Sequence, residues 1–345
     1  MVSISYTDGV PAALAGPAEQ KARFHALDTA KGIGIILVVF GHAWRGAFDA
    51  GILKDSALFH TIDRAIYAWH MPLFFFLSGL VFLGAVQSRR AAPFLASRLR
   101  RLIWPFALWT WLFFGVKLLA GGSANYPVTL ADFPVVPLPP YEHLWFLWAL
   151  FLSHIVGFGL VALLEKTGSE GWAQEVFAVL GVLLTVLVPF FYVPSPTFGS
   201  AVQHFPYFIF GVALGGMVGT RPSLALSVLA AGIFTLTLVI APSGGLSLLA
   251  SLVLTVMAYI VIAGIDPDTR EAPAPVQLLR WLGLYSLPIF LAHTIFSAAL
   301  RIGLLSSGFD NVVLHLVGAT SIGLLGPILL VMITRRLRIA KLLGF

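Results

Sequence analysis

The sequence predicts an all-α, polytopic integral membrane protein of about ten transmembrane helices with both termini cytoplasmic, and three observations predict it. First, the chain is too apolar for a water-soluble globule. Of its 345 residues 59% are hydrophobic and 10% charged, with mean hydropathy +0.93, whereas a soluble domain carries roughly a quarter charged residues. Second, apolar stretches of about 19–23 residues recur along it, each long enough to cross ~30 Å of hydrocarbon at ~1.5 Å per residue. Third, the cations are lopsided. Threading ten spans from a cytoplasmic N-terminus leaves 16 of the 21 Lys and Arg inside and 5 outside (Arg45, Lys54, Arg64, Lys117 and Arg301). An odd number of spans would put the basic tail from Arg335 to Lys341 outside, which positive-inside topology disfavours.

Residues 1–24 read as a flexible cytoplasmic tail, because they lack the basic n-region and apolar core of a signal peptide. The transmembrane unit is 25–345. Its spans are expected at 30–48, 65–87, 102–120, 143–164, 173–193, 200–219, 222–241, 245–265, 283–305 and 312–334. Several contain Pro or Gly, which membrane helices tolerate where neighbours satisfy the freed backbone groups. Between spans two and three, the segment RRAAPFLASRLRR carries five arginines and reads as a short basic amphipathic helix on the cytoplasmic surface, ended by Pro105. Between spans three and four, residues 121–142 form an outer loop with five prolines and no Lys or Arg, so regular secondary structure is not expected there.

The first span holds the most telling pattern. Positions 28, 31, 35, 38, 42, 45 and 49 fall on one helical face, and all but Ile35 and Val38 are ionisable: Asp28, Lys31, His42, Arg45 and Asp49. Charge turned toward lipid costs several kcal/mol, so this face looks into a protein interior or a wet cavity. Lys31 and His42 share the face at ~16 Å separation along the axis. Lys31 reads either as a snorkelling interfacial anchor or as an inner functional cation. His42, in the outer half, reads either as a packed histidine or as a proton acceptor able to work near neutral pH.

His70 in span two, His143 opening span four and His204 near the start of span six sit at similar outer depth. His154 and His293 lie mid-span, in spans four and nine, and several of these could be simple interhelical hydrogen-bond donors. No pair has the i,i+4 spacing of a metal site and no carboxylate is interleaved at membrane depth, so no metal is expected. Arg98 and Arg101, three apart on one face, serve either lipid attraction or a phosphate clamp, for which the guanidinium fork suits phosphate oxygens. Trp145 and Trp148 belong to an interfacial belt or to a sugar-stacking platform.

Composition excludes other classes. With no cysteine there are no disulfides, thiolate ligands or cysteine-acyl intermediate. The net charge of +6 does not indicate nucleic acid, since the basic residues lie in short loops between apolar runs.

At these residues the sequence resembles the acyltransferase-3 family of membrane O-acyltransferases, and within it the fucose 4-O-acetylase-like branch. ALDTAKGIGIILVVFGHAW (Ala26–Trp44) resembles the family's opening helix, although Lys31 stands where arginine is frequent. HMPLFFFLSGLVF (His70–Phe82) is similar to its second helix, and FLASRLRRLIWPF (Phe94–Phe106) to its cytoplasmic R-x-x-R segment, with Arg98 and Arg101 at the two arginine positions. HLWFLWALF and SLPIFLAHTIF resemble later segments.

The resemblance implies transfer of an acyl group, acetyl in the first instance, from cytoplasmic acyl-CoA to a hydroxyl of a cell-surface or exported glycan, in a bacterial inner membrane. On that reading Lys31, Arg98 and Arg101 hold the phosphates of the donor, and the pantetheine arm passes Ile35 and Val38. His42 is the general base, oriented by Asp49 or Arg45, or forms a transient acyl-histidine. His70, His143 and Trp145 contact the carbohydrate acceptor. The alternatives are a proton-coupled transporter or exporter of a glycan or small solute, using the stripe as a relay, and a partner-binding subunit of a polysaccharide assembly.

Overall fold

The computed structural model describes residues 24–345 except 88–90, 192, 241–246, 268 and 270. The expected tail before Phe24, and the cations Lys21, Arg23, Arg89, Arg90 and Arg270, therefore lie outside the described residues. Among the described residues fourteen α-helices follow one another: α1 (His25–Asp49), α2 (Ser56–Tyr67), α3 (His70–Leu80), α4 (Phe82–Gln87), α5 (Ala91–Arg98), α6 (Trp104–Ala120), α7 (Trp145–Lys166), α8 (Ala173–Leu187), α9 (Gly199–Ala213), α10 (Leu224–Ile240), α11 (Leu248–Ile265), α12 (Ala274–Leu284), α13 (Ser286–Ser306) and α14 (Val312–Arg336). No strand occurs among the described residues. The protein is all-α and polytopic.

Seven helical segments among the described residues are long and apolar enough to cross a membrane, and α10 is a shorter apolar helix. Several of the ten expected spans are broken or short, and proline explains two of the breaks. Span two divides between α2 and α3, with Pro72 at the third position of α3. Proline has no N–H for the carbonyl four residues back, which is that of Ala68. That carbonyl instead accepts the hydroxyl of Ser251 from α11. Span nine divides at Tyr285 between α12 and α13, with Pro288 again third in the new helix.

The basic segment departs from expectation. It is not a separate surface helix ended by Pro105. From Ala91 the helix continues into α6 through a π-helical turn at Leu99–Ile103, closed by Trp104 N–H to Leu99 C=O. The wider turn precedes a proline that cannot bond the Arg101 carbonyl, and the helical run continues past Pro105 into α6.

The stripe-bearing helix α1 is the axle of the fold, packing against α12, α14, α13, α3 and α11. It touches α12 backbone to backbone. A Cβ at Gly32 would collide with the Leu279 carbonyl, and one at Gly283 with the Asp28 carbonyl. Small residues at such crossings allow the close approach that drives helix association in lipid. Beside this contact Asp266, fully buried, accepts from Arg280 of α12 and from Thr29 of α1. The C-terminal turn packs on the start of α6, where Trp104 and Trp109 donate to the carbonyls of Leu342 and Leu343 at 2.8 and 2.9 Å.

Candidate functional site

Two groups of side chains converge on the middle of the bundle from opposite ends. The first is a cluster of imidazoles. His42 comes from α1, His143 from the 3₁₀ turn Glu142–Leu144 that opens α7, and His293 from α13. Their ring centroids form a triangle, 5.0 Å between His42 and His293, 5.7 Å between His42 and His143, and 5.1 Å between His143 and His293. His42 is half-buried, whereas His143 and His293 are buried.

His293 Nδ1 lies 2.8 Å from the Phe290 carbonyl and 3.0 Å from that of Ile289. A carbonyl only accepts, so Nδ1 carries the proton and Nε2 is left with its lone pair. Nε2 of His293 and Nε2 of His143 are both buried without a hydrogen-bond partner. The cluster thus offers basic or donor nitrogens to whatever enters it. Among the described residues no group of three or more His, Cys, Asp or Glu is disposed to hold a metal ion.

His143 reaches this position because the proline-rich loop is pinned at several points. Asn125 donates to the Gly46 carbonyl at 3.3 Å and accepts from Arg301 at 3.0 Å. Trp111 donates to the Pro134 carbonyl, and Lys117 pairs with Glu142 at 2.6 Å. As expected, the loop holds only 3₁₀ turns. The turn at Leu130–Asp132 is fixed by Asp132, whose carboxylate accepts the N–H and hydroxyl of Thr129 and is held below the usual Asp range by them. Burial pushes the Tyr141 phenol up.

Two expectations for His42 fail. Arg45 does not orient it, because its guanidinium grips Asp63 of α2 at 2.6 and 2.8 Å and lies 3.3 Å above the Tyr67 ring. Asp49, at the exposed end of α1, instead faces Tyr126 of the loop, whose phenol it pushes up. The ring neighbours of His42 are Tyr67, His143 and His293. His70 stands one ring away, edge-on to Tyr67 at 4.5 Å, with Nδ1 donating to the Ile66 carbonyl. Trp145 turns from the cluster toward His204 at 4.8 Å, in an aromatic group with Phe75 that adjoins Phe146. Trp148 donates to the Thr197 carbonyl and stacks on Phe106.

The second group is a cavity of about 250 Å³ whose lining includes Lys31, Arg98 and Arg101, so these three expected cations do come together. Lys31 also pairs with Asp28 at 3.3 Å, and the Arg98 guanidinium lies 4.9 Å from the Phe94 ring. The expected path along α1 is corrected here. Ile35 and Val38 are fully buried and do not line the cavity. Its long walls come from Phe74 and Leu77 of α3, Leu147 and Leu150 of α7, and Leu287 of α13.

Phe146 and Phe290 also line the cavity, with their rings 5.3 Å apart. Phe290 in turn is 5.3 Å from His143. A single layer of aromatic rings therefore separates the cationic cavity from the imidazoles. Sequence reasoning singled out neither Phe290 nor the partnership of His293 with His42. The available signal was the proline-broken segment SLPIFLAHTIF, which carries both residues.

Residues 24–332 match the family model described as an acyltransferase domain. The chain is also similar to a protein titled Nodulation protein NolL from Mesorhizobium japonicum, 30% identical over 145 residues, covering 41% of this chain and 36% of that protein. A protein of the same title from Sinorhizobium fredii is 32% identical over 130 residues, 37% of this chain and 34% of that protein. The matched segment spans about a third of the length of these relatives. No solved structure matches.

Proposed function

We propose, from the premise that this chain belongs to the acyltransferase-3 family, that it transfers an acyl group from acyl-CoA to a hydroxyl of a glycan. The observation that carries the reading is the meeting of two unlike chambers. A cavity with three cations lies one ring layer from three clustered imidazoles. Phosphate-bearing donors suit the first chamber, since guanidinium forks match phosphate oxygens in geometry and charge. Proton transfer from an alcohol suits the second.

On this reading Lys31, Arg98 and Arg101 hold the donor's phosphates, and its extended arm lies along the apolar walls toward Phe146 and Phe290. The acceptor oxygen attacks the thioester carbonyl while His42 takes its proton. The C–S bond then breaks, and the thiolate leaves and is protonated. His143 and His293 flank His42 with unpartnered nitrogens that hold the acceptor or relay the proton. His70 belongs to the outer wall behind Tyr67, and Trp145 to a flanking aromatic face for the sugar. The donor enters from the cytoplasm, acetyl is the first acyl group to try, and the membrane is the bacterial inner membrane. Placement in the fucose 4-O-acetylase-like branch is part of the same proposal, as is an acceptor destined for the cell surface.

The test is acyl-CoA turnover by the purified full chain in detergent, with mass spectrometry of surface glycans from a deletion strain. Free thiol release that depends on a sugar acceptor, with loss of glycan acylation in the deletion strain, is expected. No thiol release with any acyl-CoA, and an unaltered glycan, would overturn the reading.

A further inference from the structure

Apart from the cations and Ser286, most of the cavity wall is hydrocarbon and phenyl ring, yet beside Arg98 it holds one built polar pair. Ser78 of α3 and His154 of α7 both line it, with Ser78 Oγ 2.8 Å from His154 Nε2. Hydroxyls elsewhere in the bundle, those of Ser153 in α7, Thr110 in α6 and Thr185 in α8, donate to the carbonyl four residues back in their own helix. His154 is 3% exposed, stacked flat on Phe82 at 5.6 Å, and its Nδ1 is buried without a partner.

We infer that Ser78 and His154 form a subsite that hydrogen-bonds an amide group of the ligand in this cavity, which on the acyl-CoA reading proposed above is an amide of the pantetheine arm. Both histidine tautomers leave the same complement of groups. If Nε2–H donates to Ser78 Oγ, the pair keeps the serine O–H as donor and Nδ1 as acceptor. If Ser78 donates to Nε2, the pair keeps Nδ1–H as donor and the serine oxygen as acceptor. Either way one donor and one acceptor remain, which is the complement of an amide's C=O and N–H. A purely apolar ligand would leave both unmet.

The position fits as well. The Phe94 ring under Arg98 is 6.5 Å from His154. One turn along α3 from Ser78 stands Phe74, 5.9 Å from Phe146 in the closing ring layer. The polar pair therefore lies between the phosphate-binding cations and the layer the thioester must reach. Coenzyme A carries its two amides in that interval, between diphosphate and sulfur.

Calorimetric titration of the full chain in detergent with two probes tests this. One probe is coenzyme A, and the other is adenosine 3′-phosphate 5′-diphosphate, which has the same phosphates without the arm. Ser78→Ala and His154→Phe are expected to weaken coenzyme A by about three- to tenfold, the scale of one neutral hydrogen bond, and to leave the nucleotide within about twofold. Ser78→Thr, which keeps a hydroxyl, is expected to restore affinity. Unchanged coenzyme A affinity in both variants, or equal losses for both probes as from general loosening of the α3–α7 contact, would overturn the subsite. If the unaltered chain binds neither probe, the acyl-CoA reading itself fails and takes the subsite with it.

Discussion

At the histidine end, three rings arrive from three places far apart in the chain and stand buried or half-buried among aromatic neighbours. At the cationic end, two arginines arrive from consecutive turns around one π-helical bulge and remain partly open to solvent. The difference follows from charge. A neutral imidazole tolerates burial once one nitrogen is bonded, as His293 Nδ1 is by two carbonyls. The guanidiniums of Arg98 and Arg101 keep part of their surface open, because taking a cation out of water is far costlier. The imidazole region is thus the more enclosed of the two and the arginine region the more open, and α1 runs through both.

Experiments that separate the two regions test this division. The largest effect is expected from His42→Ala, which lowers acyl transfer by about 10²–10⁴-fold while leaving donor affinity intact. Loss of coenzyme A binding in that variant would mean that the regions are not distinct. Next comes the anchor of α1. Asp266→Ala strands Arg280 in a buried site, and removing one partner of such a pair costs ~3–5 kcal/mol. Thermal unfolding in detergent reads this as a lowered midpoint, and an unchanged midpoint would contradict the anchoring role.

Arg98→Ala and Arg101→Ala should each raise the KM for acyl-CoA by roughly 10–100-fold through loss of a charge-assisted hydrogen bond, with a much smaller change in kcat. A drop confined to kcat would place the arginines in the chemistry instead. Phe290→Ala removes half of the layer between the regions. It should raise acceptor-independent hydrolysis of acyl-CoA, since excluded water is what protects a reactive thioester, and a hydrolysis rate equal to wild type would argue against a barrier.

The smallest effect is expected in the loop above the histidines. Asp132, held below the usual carboxylate range by Thr129, contributes to the 130–132 turn above its unfolded pKa. That contribution fades as pH falls through the lower folded value. Limited proteolysis between residues 121 and 142 should therefore accelerate only in acid below the ordinary Asp range, and acceleration near neutrality would implicate another group.

Periodicity along α1 made half of this site legible. A helix that repeats ionisable residues at three and four must turn them inward, so Lys31 and His42 were readable from spacing, and Arg98 with Arg101 from their cluster beside an apolar span. His293 was not, because its distance from His42 is set by how α13 crosses α1, and local sequence does not encode crossings. The same holds for Ser78 and His154, a pair 76 residues apart in sequence. The intended partners Arg45 and Asp49 misled because a helical face lists neighbours on one element only. Asp63, which captures Arg45, comes from another. Hydropathy reads spans two and nine as continuous, and the structure breaks both just before Pro72 and Pro288, although both prolines were visible. The π-turn before Pro105 left no signal in the pattern of residue types.

The phenyl pair at Phe146 and Phe290 has one more consequence. A polytopic protein with a pocket on one side and a half-open cluster on the other sits across the ion gradients of its host, and a continuous chain of waters between the two would short-circuit them. Carbon rings neither accept nor pass on a proton, so these two side chains would interrupt such a chain of waters between the cavity and the imidazoles.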